Sequence, residues 1–188
     1  MGKGELPEPN KGAFWDRIAD GVGADFAGDA THGIASNARI AQGLFGLHEA
    51  LGAPLLRQSG LNICQWLILK MNDAGYFDGE SVHATRELPD DGRVIKKACS
   101  LAGAEAIRPF VSAFRATKSE VFIKAAWKIA NYLLATRLRE FENANPAAIA
   151  SVTLALAALD SEAPNPKIRA GLQSWGSWLR AMPLLPNS

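Results

Sequence analysis

From Lys118 to Asn143 the chain runs without a proline or glycine, and its apolar residues return to one side of a helix. At about 100° per residue, Phe122, Ala126, Trp127, Ile129, Ala130, Leu133, Leu134 and Leu138 share about half of the wheel. Lys124, Lys128 and Arg139 take the opposite arc, with Lys118 just beyond it and Tyr132 at its edge. A stripe this wide is stable in water only against other helices, so the chain has to build helix on helix.

The rest of the sequence is punctuated in the same way. Thr117-Lys118-Ser119-Glu120 reads as a capping box, hydroxyl and carboxylate each satisfying an orphan N–H at the start of the long helix. Asn145-Pro146 and Asn165-Pro166 are cap-plus-first-turn-proline starts for helices over 145–160 and 165–182. Gly52-Ala53-Pro54 stops a helix capped by Asp29 or Thr31. Further helices are expected after Asn10 (Phe14, Trp15, Ile18 and Val22 on one side), at about 57–73, at about 92–103, and in a short piece begun by Pro109. Residues 76–91 alternate weakly and approach the turn Pro89-Asp90-Asp91-Gly92, as a short hairpin or a loop insertion. The expectation is an all-α protein: one compact bundle of about eight helices over 1–188, with residues 1–11 a flexible N-terminus.

With 188 residues, 48% of them apolar and 21% charged, the chain can bury a sizeable core. No uninterrupted apolar window reaches the ~18 residues of a membrane span. The opening MGKGELPEPN has no apolar stretch of a secretory signal, and Leu6 stands where a myristoylation signal needs Ser or Thr. Cys64 and Cys99 sit in apolar helical patterns and read as small buried hydrophobes in a reducing compartment. The expected location is cytoplasmic, without membrane contact. No phosphate-binding glycine loop, HExxH, paired CxxC or GxSxG occurs. His32, His48 and His83 have no ligand partner at metal spacing, Ser59 and Ser100 no local activating group. No catalytic residue, metal or cofactor is assigned, and an enzyme is not expected.

Charge is the informative property. The net charge is +1, but residues 1–91 carry 7 Lys and Arg against 13 Asp and Glu, and residues 92–139 carry 10 against 2. Arg93, Lys96 and Lys97 repeat the one-sided pattern of Lys118, Lys124, Lys128 and Arg139. A cationic row with few acids follows a phosphate backbone without reading its sequence, because each neutralised phosphate releases counterions.

The stretch ALGAPLLRQSGLNICQWLILKMNDAG (50–75) resembles the small helical subunits of type III (Cmr-type) CRISPR effector complexes. Pro54, Gly60, Leu61 and Gln65 stand at matching places, with Arg57 as the basic residue before the turn. RAGLQSWGSWLRAM (169–182) is similar to the family's closing helix, with Trp178, Leu179 and Arg180 in its pattern. The chain departs from the family in its length, its acidic N-terminal half and the 76–91 loop. The resemblance implies a non-catalytic role. The subunit would bind guide RNA and target nucleic acid through basic side chains, Arg57 and Arg180 among them. It would contact other effector subunits and stack with copies of itself. It also offers a reason for Gly60, which costs about 1 kcal/mol against alanine in a helix. A break there would turn Arg57 and Gln58 outward while Leu55, Leu61, Trp66 and Leu69 stay in the core. Close helix packing is the other reason.

Three other readings stand beside this one. The spaced glycines of 21–35 and the apolar 146–159 suit a membrane-active, toxin-like helical protein. A winged-helix DNA binder would use 57–73 for recognition and 80–98 as wing. A helical protein–protein interaction module would need no nucleic acid.

Overall fold

Six helices make up most of the described residues, 31–77, 81–83, 94–135 and 146–181 of a computed structural model. They are α1 (Ile34–Leu51), α2 (Pro54–Lys70), α3 (Val94–Thr117), α4 (Glu120–Ala135), α5 (Pro146–Glu162) and α6 (Pro166–Ala181). Two three-residue strands, β1 (Thr31–Gly33) and β2 (Ser81–His83), pair antiparallel with Thr31 opposite His83. The all-α class is as expected. The helix expected after Asn10, and residues 1–11, lie outside the described residues.

The count differs from eight for a second reason. The helices expected at 92–103 and from Pro109 are one, α3, with Pro109 inside it. Proline removes an N–H and crowds the carbonyl four residues back, and usually ends a helix. Here Ala104, Ala106, Ile107, Phe110, Val111 and Ala113 are all buried on both sides of it. α3 packs against α1, α2, α4 and α5, so burial of these residues outweighs one lost hydrogen bond. The Pro109 carbonyl also accepts a hydrogen bond from the Cys64 thiol at 3.6 Å.

Gly60 does not break a helix either. It is buried inside α2, and a Cβ there would stand 3.1–3.3 Å from three atoms of the Phe45 ring. Of the two explanations, close packing of α1 on α2 is the one realised. Leu61 and Trp66 are in the core as expected, but Leu55 and Leu69 are not, being 81% and 79% exposed. An unbroken helix keeps turning, and carries both leucines to its outer face.

The helix ends follow local chemistry with two exceptions. Gly52 ends α1 in the left-handed region (φ 66°), its N–H on the His48 carbonyl at 2.8 Å. The Asn165 side chain accepts the Lys167 N–H at 2.8 Å, and Pro166 opens α6. α1, however, starts at Ile34, after Gly33, because residues 31–33 are taken by β1. β2 falls within the expected 76–91 hairpin, but its partner is β1; the expected closing turn lies outside the described residues. The expected capping box is not formed. Thr117 is the last residue of α3, its hydroxyl donating to the Ala113 carbonyl at 2.7 Å and accepting the Ser119 N–H at 3.2 Å. Lys118 adopts φ 57° and separates α3 from α4.

The core draws on all six helices, with Trp66, Phe110, Leu133, Leu156 and Trp175 among its largest members. α6 closes the bundle against α5 and α4. Among the described residues no helix is long and apolar enough to cross a membrane. Of the 80–98 segment assigned as a wing in the winged-helix reading, residues 81–83 form β2 and residues 94–98 open α3.

Candidate nucleic-acid interface

The predicted amphipathic division of α4 is present. Phe122, Ala126, Ile129, Ala130 and Leu133 are buried, Trp127 and Leu134 partly so, and Lys124 and Lys128 are exposed. Glu120, Lys124, Lys128 and Tyr132 stand at successive i, i+4 positions and form one outer stripe.

This stripe is less purely cationic than the sequence suggests. Lys124 Nζ lies 2.7 Å from Glu120 Oε2, and Lys128 Nζ lies 3.8 Å from Asp73 Oδ1. Hydrogen bonding and the charge of Lys124 hold the Glu120 carboxyl below its usual range. Both ion pairs are solvent-exposed and therefore weak.

The turn after α2 is built onto α4 by two residues. Asn72 Oδ1 accepts the N–H groups of Ala74 and Tyr76 at 3.1 and 3.2 Å, an Asx turn. Gly75 has φ 89° and lies so near the Lys128 carbonyl that a Cβ would run into it. Phe77 then enters the core, 1% exposed. Between them Tyr76 meets Tyr132, ring centroids 4.8 Å apart and tilted by 33°. The edge tyrosine of the stripe is therefore half of a ring pair.

The other expected RNA-binding residues are spread over the molecule. Arg57 is exposed on α2, with Gln58 beside it bonded to Asn62 at 2.9 Å. Lys118 places its ammonium 5.5 Å from the Phe114 ring centroid. Arg180 is exposed in the last turn of α6, its guanidinium 3.5 Å from the Ser177 hydroxyl. Lys96 and Lys97 fall in the first turn of α3. Arg93 and Arg139 lie outside the described residues.

Among the described residues, three cations outside the expected set, Lys70, Arg108 and Lys167, have no carboxylate partner. Arg108 is exposed on α3, ten residues before Lys118. The reading that ended a helix near 103 hid its place on a continuous outer face; only its membership of the basic 92–139 stretch pointed to it. Arg115, Arg39 and Arg169 are instead bound to Glu162, Glu105 and Asp160 at 2.6, 3.2 and 3.0 Å.

The described residues hold 13 Lys and Arg against 6 Asp and Glu, whereas the whole chain has 20 against 19. Five of those six acids are in ion pairs. Among the described residues, Arg57, Lys70, Arg108, Lys118, Lys167 and Arg180 have no carboxylate partner. No three His, Cys, Asp or Glu side chains of the described residues come together as a metal site. His48 Nδ1 meets the Ala53 carbonyl at 3.0 Å and ties down the α1–α2 turn. Burial pushes the Cys64 thiol far up, and its environment is that of a core residue. No protein-family model matches the chain, and no curated protein or solved structure matches it either.

Proposed function

We propose that this protein is a non-catalytic, RNA-binding helical subunit of a ribonucleoprotein complex. The observation that carries this reading is the charge asymmetry along the chain: residues 92–139 hold 10 Lys and Arg against 2 Asp and Glu, and both of those acids, Glu105 and Glu120, are engaged in intramolecular pairs. Cations left without partners bind polyanions through counterion release. Exposed cations stand on α2, α3, α4 and α6, an arrangement that suits an extended phosphate backbone better than a small anion.

The resemblance of residues 50–75 and 169–182 supports the class of assembly proposed here. The protein would be a small subunit of a CRISPR effector in the cytoplasm, holding guide and target RNA, stacking with like copies and leaving cleavage to other subunits. The test is fluorescence anisotropy with single-stranded RNA, comparing wild type with a Lys124→Glu/Lys128→Glu variant whose fold is verified by circular dichroism. The reading expects affinity lowered by about ten-fold or more, since each reversal removes one phosphate contact and adds a repulsion. Equal affinity would reduce the α4 stripe to a solvated surface.

A second reading, a helical interaction module without nucleic acid, draws on Leu47, Leu51 and Leu55, exposed by 50%, 70% and 81%. It expects no RNA binding at any salt concentration.

A further inference from the structure

We infer that Tyr76 and Tyr132, with Lys128 one turn away on α4, form a stacking site for an unpaired base of single-stranded RNA; this deepens the RNA-binding reading and rests on it. Three observations converge. The two rings lie 4.8 Å apart, and both residues are only partly buried, beside a basic helix face. The pair is held rigidly: the Asn72 side chain bonds two N–H groups of the turn, and Gly75 sits on the α4 backbone at Lys128. A fixed aromatic surface needs little ordering when a base stacks on it.

The third observation is the neighbouring charge. Lys128 precedes Tyr132 by one helical turn, about 5–6 Å between Cβ atoms, a spacing on the scale of a base and its own phosphate. Its present partner, Asp73, is 3.8 Å away and fully exposed, so a phosphate can take its place. Stacking tolerates every base, since each has a π face. It also selects the strand state, because bases inside an A-form duplex have no free face to offer.

The experiment compares a short single-stranded poly(A) RNA with a strand of equal length bearing abasic sites, and with an RNA duplex. The site predicts that wild type binds poly(A) about ten-fold more tightly than the abasic strand. It also predicts quenching of 2-aminopurine placed in the single strand. Tyr132→Leu, which keeps an apolar side chain at the position, is expected to abolish the preference and the quenching while leaving the salt dependence of binding in place. Tyr132→Phe, which keeps the ring, restores both. Equal binding of poly(A) and abasic RNA by wild type would overturn the stacking site while the charge-based reading stands. No binding to any of the three would overturn both.

Discussion

Gly60 and Gly75 look alike in sequence and act differently. Gly60 is a packing residue in ordinary helical geometry, so the cost of replacing it is set by the Phe45 ring. Gly60→Val is expected to destabilise the protein by about 1–3 kcal/mol through overpacking. Adding Phe45→Leu should recover part of that loss, a coupling measurable by urea denaturation of the two single variants and the pair. Gly75 is constrained by its backbone, with φ 89° and the Lys128 carbonyl where a Cβ would lie. Gly75→Ala is expected to cost about 1–3 kcal/mol, and no change at Phe45 relieves it. Because the turn carries Tyr76, amide exchange at residues 72–77 should rise in this variant more than exchange in α5. Cys64 supplies a third prediction at this scale. Its raised thiol pKa and full burial predict no reaction with a chromogenic disulfide reagent in a Cys99→Ser background until the protein unfolds.

The helices divide by whether their ends are decided locally. α6 was readable because Asn165 and Pro166 act on their immediate neighbours. The wheel of α4 was readable because one face of it is buried over four turns. α3 was misread because proline is a local signal, while its continuity comes from packing against four other helices that no local window contains. The β1–β2 pair was missed for the same reason: it joins residues about fifty positions apart. Helix ends also carry the pH dependence. The Asp160 carboxyl is held below its ordinary value by the Asn165 N–H and then by Arg169, at 2.8 and 3.0 Å. A carboxylate whose pKa is lower folded than unfolded stabilises the fold above its unfolded value, here 3.8, and loses that contribution as pH falls through the folded one. The difference in Tm between wild type and Asp160→Ala should accordingly be largest near neutrality and shrink below about pH 4. A difference constant down to acid pH would mean that the carboxylate charge has no part in the α5–α6 joint.

Over the molecule as a whole, the sequence showed that charge is segregated but not how it is arranged. Counting along the chain located the basic stretch at 92–139; only the folded arrangement shows which of its members are already neutralised. Lys124 and Lys128 looked free on a helical wheel because Asp73 comes from another part of the chain and the weight of Glu120 depends on side-chain approach. Among the described residues, Arg57, Lys70, Arg108, Lys118, Lys167 and Arg180 keep no carboxylate partner, and Lys70, Arg108 and Lys167 were not anticipated. The measurement that bears most directly on RNA binding is the affinity of the wild-type protein for single-stranded RNA as a function of salt. Engagement of at least three phosphates predicts that log K falls against log salt with a slope of about −2 or steeper, at about −0.7 per phosphate. A slope near zero, or no binding at low salt, would contradict the RNA-binding role and leave the apolar residues of α1 and α2 as the functional surface.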